Sequence, residues 1–107
     1  MALAGTLADT AVARDFAALL PLDFSLDDYA ATEKIAYLPR KLTTAGAPPG
    51  TAAAAGDICY YAPWGNLALF YRDSGHAKGL VRLGRLDGVD ALRRPGPLRA
   101  RIEIAQT

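Results

Sequence analysis

After Pro21 several segments place apolar side chains at every second position, and this period limits most what the chain can fold into. Alternate residues of an extended strand point to opposite faces, so such a run makes a strand with one face turned to a core. Leu22, Phe24 and Leu26 alternate with Asp23, Ser25 and Asp27. The clearest run comes last: Leu98, Ala100, Ile102 and Ile104 face in, while Arg99, Arg101 and Glu103 face out. Residues 33–38, ended by Pro39, read as another strand, as do 57–61, 66–72 and 80–86. In 80–86, Val81 and Leu83 point one way and Arg82 and Gly84 the other. Ala62-Pro63-Trp64-Gly65 is a turn sequence, so 57–61 and 66–72 form an antiparallel pair. Residues 2–8 are a short strand or a frayed terminus.

One stretch has helical spacing instead. Val12, Phe16, Leu19 and Leu20 fall at i, i+4, i+7 and i+8, a single apolar stripe. Asp9 or Thr10 can cap its start, and Pro21 disfavours helical geometry at Leu20, which predicts a helix over 10–20. Residues 43–56 hold Gly46, Gly50, Gly56, Pro48 and Pro49 with few large side chains, and read as a long loop. Within it Ala52–Ala55 is at most one helical turn. Residues 73–79 read as a polar loop, 88–93 as a helical turn capped by Asp87, and Pro95-Gly96-Pro97 as a turn. There is no internal repeat and no linker, so residues 1–107 are read as a single domain. One helix among about seven short strands predicts a mainly-β fold, a small barrel or an α+β sandwich.

Composition narrows function by exclusion. Twelve basic and eleven acidic residues leave a formal net charge of +1, without the basic footprint of a nucleic-acid binder. One Cys excludes an intramolecular disulfide framework and a Cys-rich zinc site, and one His excludes a multi-His metal site. No cofactor is expected. No segment reaches the roughly 18 consecutive apolar residues of a membrane span. The start lacks a basic region and Asp9 interrupts its apolar run, so a cytoplasmic location is expected.

Three segments carry a resemblance: Glu33–Leu42 (EKIAYLPRKL), Gly56–Tyr71 (GDICYYAPWGNLALFY) and Leu80–Leu92 (LVRLGRLDGVDAL). Together they resemble the bacterial cyclophilin-like domain family, over roughly residues 10–105. The resemblance implies a small cyclophilin-like β-barrel with one N-terminal helix. Members of the family open with a strand ahead of the segment similar to residues 2–8. This chain starts without it, so either the start codon lies upstream or one sheet edge is open. True cyclophilins are peptidyl-prolyl isomerases. Their catalytic Arg, three residues before a Pro, corresponds to Ala36 here. Their Gln, two residues before an aromatic, corresponds to Ala68, and their groove His has no match, since His76 lies in a loop. Fold does not carry activity with it.

The candidate site residues each have a structural alternative. Trp64 is a platform lining a groove or a plug closing one end of the barrel. Asn66 binds ligand or satisfies turn backbone. Arg40 and Lys41 bind an anion or are solvated charges at a loop mouth. Tyr37, Tyr60, Tyr61 and Tyr71 supply core or rim packing. Cys59 paired with His76 as a nucleophile competes with a buried inert thiol. Asp57, Asp73, Asp87 and Asp90 sit beside turns, where Asp is expected without catalysis. The reading is a non-catalytic module that holds a small molecule or an extended peptide. Its groove would be formed by Trp64, Arg40, Tyr61, Asn66 and Phe70, with no metal, nucleic acid or membrane partner. A weak or altered prolyl isomerase is the alternative, and the oligomeric state is not legible.

Overall fold

The alternation seen in the sequence builds a seven-stranded antiparallel sheet. The computed structural model describes residues 2–105. The strands are β1 (Gly5–Leu7), β2 (Leu22–Tyr29), β3 (Glu33–Tyr37), β4 (Gly50–Ala53), β5 (Asp57–Tyr61), β6 (Asn66–Phe70), β7 (Ser74–Lys78), β8 (Leu80–Leu86) and β9 (Leu98–Ile102). The helix α1 (Ala11–Ala17) follows β1, and a single 3-10 turn (Val89–Arg93) follows β8. The main sheet has the order β1-β8-β5-β6-β3-β2-β9 and curls into a half-barrel; β4 and β7 form a separate two-stranded ribbon.

Register sorts the side chains onto two faces. Ala36 pairs with Leu67, and Tyr60 pairs with both Leu67 and Val81. These residues lie on the inner face, which α1 covers with Val12 and Phe16. The next positions along each strand point outward. Ile35 pairs with Ala68, Ala68 with Cys59, and Tyr61 with both Asn66 and Leu80. The ribbon lies over this outer face, where Ala53 of β4 and Ala77 of β7 join a second, smaller apolar cluster around Cys59, Ala68, Phe70 and Leu80.

Three expectations need correction. The helix ends at Ala17 and not at residue 20. Thr10 caps its start, its Oγ1 accepting from the Ala13 N–H at 3.2 Å, but the backbone tightens to i→i+3 bonds at Leu19 and Leu20 ahead of Pro21. The segments read as loops at 43–56 and 73–79 contain β4 and β7, and Ala52 and Ala53 are extended, not helical. Both strands cover the sheet with backbone and small side chains, so neither shows an apolar alternation. Finally, β9 ends at Ile102, and Ile104, expected to face in, is 56% exposed.

Residues 2–8 do contain an edge strand, β1. A Cβ at Gly84 would stand 2.2 Å from the Thr6 carbonyl oxygen, so β1 can cross β8 this closely only where β8 has no side chain.

Candidate functional site

The outer face is only partly covered by the ribbon. Beside it lies an open cavity of about 280 Å³. Ile35, Phe70 and Leu80 form its apolar floor, and Ser74 and Ala77 of β7 form one wall. Tyr29, Tyr61 and Trp64 form the aromatic remainder.

The aromatic wall follows from the turns. Pro63 precedes Trp64, and Gly65, at φ +69°, takes the left-handed conformation that closes the β5–β6 turn. Trp64 is 47% exposed and belongs to neither apolar cluster, so it does not plug the half-barrel. Its ring meets Tyr61 and Tyr29 edge-on, each at a centroid distance of 5.4 Å and at 80° and 85°. Tyr29 stands opposite Glu33, whereas Trp64 lies just beyond Asn66, which stands opposite Tyr37. Glu33 and Tyr37 are about 13 Å apart along β3. The Tyr29 and Trp64 rings therefore lean toward each other from the two ends of the strand.

Two polar groups mark the two ends of the cavity. Asn66 lines one end and is only 2% exposed. Its Nδ2 donates to the Leu67 carbonyl at 3.1 Å, and its Oδ1, closed off from solvent, has no partner among the described residues. A buried acceptor without a donor costs about 1–3 kcal/mol. Glu33 lines the other end, half-buried. Its Oε1 accepts only a long bond of 3.5 Å from the Thr32 hydroxyl. Burial pushes its carboxyl up to about 7, the Thr32 bond opposing weakly. Glu33 is the only charged side chain lining the cavity among the described residues.

Of the residues expected to form a groove, Trp64, Tyr61, Asn66 and Phe70 line this one cavity, and Arg40 lies outside it. The Arg40 guanidinium forks onto Asp15 of α1 at 2.8 and 3.0 Å, and the Thr43 N–H donates to the same carboxylate at 2.7 Å. The Arg40 bond and then the Thr43 bond hold the Asp15 carboxyl down at about 2. Arg40 thus ties the loop after β3 to the helix. Sequence reasoning missed Glu33 and Tyr29. Glu33 occupies an outward position where a charge is ordinary. Tyr29 is aimed by a turn through Ala30 and Ala31, residues that carry no turn signature.

The remaining candidates fall elsewhere. Cys59 is fully buried, and desolvation, aided by the Asp57 charge, pushes its thiol up to about 12, the opposite of an activated nucleophile. His76 is exposed on β7. Asp57 accepts from the Ala54 N–H at 2.8 Å and from Arg82 at 3.2 Å, so it braces the β5 turn. Tyr60 is core, its hydroxyl accepting from the Leu42 N–H at 3.1 Å. A wider hollow beside α1 contains Arg14 and Arg82, but each already has a carboxylate partner, Asp9 and Asp57.

The two positions matched to the isomerase pair fall on different faces: Ala36 faces the inner core at 5% exposure, whereas Ala68 lies on the outer face beside Ile35, its register neighbour. Neither alanine carries a donor.

A model of the cyclophilin-like family matches residues 1–103 of the chain. No curated protein and no solved structure matches it.

Proposed function

The chain belongs to the cyclophilin-like family, and from that premise we propose that it is a non-catalytic binding module whose outer-face cavity holds a small molecule. The observation that carries this reading is the open cavity itself, walled by three aromatic side chains and lined by the half-buried Glu33 carboxyl with its single long bond. Buried polar groups are nearly always hydrogen-bonded, and those that are not call for a specific reason. A ligand donor at the Glu33 carboxylate supplies one. The size of the cavity, at the low end for ligand sites, favours a small molecule over a long extended peptide.

The isomerase alternative lacks its chemistry here. A twisted prolyl amide needs a donor at its nitrogen, and removing a donor of this kind costs on the order of 10²–10³ in rate. No Arg lines the cavity among the described residues. A protease-coupled proline-peptide assay is expected to show no acceleration at catalytic protein concentration. Acceleration comparable to a cyclophilin control overturns the non-catalytic reading.

Binding itself is tested with the single tryptophan. Ligands from a small-molecule library should shift Trp64 emission and raise the melting temperature together. Trp64→Ala should abolish binding with a stability change below about 1 kcal/mol, since the ring is half exposed. If no library member moves either signal, or if Trp64→Ala unfolds the protein, the cavity reading fails.

A further inference from the structure

We propose that the occupant of this cavity is a primary ammonium compound with a short apolar body, its cationic head on the Glu33 carboxylate and its body on the apolar floor. The inference rests on the binding reading above and names the ligand class.

Charge complementarity supports it first. Glu33 is the only charged side chain lining the cavity among the described residues. Among the described residues nothing around it neutralises it. Tyr29 stands opposite it on β2 and Phe70 opposite it on β6. Thr32 supplies the one long bond. The adjacent Lys34 points to the inner face, where its ammonium holds Asp28 at 2.8 Å. Cys59 and Tyr71, the titratable groups that feel the Glu33 charge, are both pushed upward, so neither brings a countercharge. An anionic ligand would meet only repulsion at this end, and a neutral one would leave the carboxyl unanswered.

The aromatic side supports it second. The Trp64 ring stands nearly perpendicular to Tyr29 and Tyr61, so its π-face and theirs point in different directions at one cavity. Ring faces attract cations, Trp most strongly. The apolar floor of Ile35, Phe70 and Leu80 suits a hydrocarbon body. The raised carboxyl of Glu33 fits the same picture, because a docked ammonium favours its ionised form.

Four probes separate these elements: 4-(2-aminoethyl)phenol, 2-phenylethylamine, 2-phenylethanol and 3-phenylpropionate, titrated against Trp64 emission with calorimetry as a second readout. The two amines should bind best, because only they carry the ammonium. The alcohol should follow, and the carboxylate should not bind. Glu33→Gln should weaken both amines by about 10- to 100-fold, the range for a hydrogen bond to a charged group. It should leave the alcohol unchanged. Gln keeps the shape of the side chain and removes a poorly solvated charge, so the variant is expected to fold, and a thermal melt verifies this. If the alcohol or the carboxylate binds as tightly as the amines, or if Glu33→Gln weakens all probes alike, the cationic ligand is excluded while the cavity remains a binding site. If no probe binds but another library member does, the ligand class is again wrong. If nothing binds, the site reading falls with it.

Discussion

Glu33 and Lys34 are consecutive residues of β3 with opposite charges, and the fold treats them differently. Lys34 is completely buried on the inner side, yet its ammonium contacts the Asp28 carboxylate at 2.8 Å and donates to the Arg94 and Gly96 carbonyls at 2.7 and 2.6 Å. Asp28 in turn accepts from the Gly96 N–H at 2.8 Å and from the Tyr71 hydroxyl at 3.3 Å. Glu33 is less buried and has one long bond. Burial alone does not explain the contrast, because Asp57 is more deeply buried than Glu33 and is answered by Arg82. The difference is that the cavity lies beside Glu33, where no charged side chain among the described residues joins it. Saturated polar groups fix the β2–β3 hairpin to the segment before β9. Unsaturated ones mark the place where the chain leaves room.

The comparison is broken most directly on its rigid side. Phe16→Ala is expected to cost about 3–5 kcal/mol, because the ring is 2% exposed and fills the space between α1 and the inner face. A loss under about 1 kcal/mol in a denaturant titration, the level of a surface change, would mean that the inner face is not the core. Lys34→Met is expected to cost about 2–3 kcal/mol. Loss of one partner of a buried ion pair costs about 3–5 kcal/mol, and here Asp28 keeps some solvent contact and two other donors. A neutral outcome would show that the Lys34 network does not hold the hairpin.

These two residues also show how far the sequence could be read. The inner face was legible because its alternation is strict: Val81 and Leu83 in β8, and Leu22, Phe24 and Leu26 in β2, announce their faces. Phe16 was legible from helical spacing. The ribbon was not, because Gly50–Ala53 and Ser74–Lys78 cover the sheet with almost no apolar side chain. Trp64, Asn66, Tyr61 and Phe70 stood out as a group because the β5–β6 turn makes them neighbours by strand pairing. Arg40 was misplaced because its partner, Asp15, lies far away in sequence on a helix face that looks merely solvated. Glu33 was invisible for a related reason: its significance is the lack of a partner, and a sequence does not display that.

On the open side the comparison is sharpened by pH. In the fold the Glu33 carboxyl titrates at about 7, against an ordinary value near 4.5. The folded state therefore holds a proton that the unfolded state has already released across this window. Stability from this group is fully present below about pH 4.5 and is lost as pH rises through about 7. A tenfold change in proton affinity is worth about 1.4 kcal/mol, and the solvent that still reaches this half-buried group reduces the effect. Glu33→Gln should therefore stabilise the protein by about 1–3 kcal/mol at pH 8 and by little at pH 4.5. Asp15 acts in the reverse sense: its depressed carboxyl supports the fold above its ordinary value and loses that effect as pH falls toward about 2. Melting curves of parent and variant from pH 4 to pH 9 isolate the Glu33 effect, because Asp15 titrates below that range. A constant offset between them across the range would mean that Glu33 is not desolvated.

The smallest expected effect lies at the turn that aims Tyr29. Ala30 and Ala31 both have φ of +53°, and the Thr32 N–H closes the turn on the Tyr29 carbonyl at 3.1 Å. This is the geometry of a type I′ turn, whose central positions favour Asn and Gly. An L-residue there carries about 1–2 kcal/mol of steric strain. Glycine removes that strain but gives the unfolded chain more freedom, at about 0.5–1 kcal/mol. Ala31→Gly should therefore raise stability by about 0.5 kcal/mol. Ala31 is exposed and lies outside the cavity lining, so the substitution deletes no ligand contact. If the strained turn serves only to reverse the chain, binding should be unchanged. If the two methyl groups hold Tyr29 toward Trp64, a freer turn loosens that edge-on contact, and amine affinity should drop while the melting temperature rises. That opposed pair of changes is the outcome expected here, because a positioned ring loses less freedom on binding than a mobile one. A parallel change in both quantities would assign the turn to the rigid half of the molecule instead.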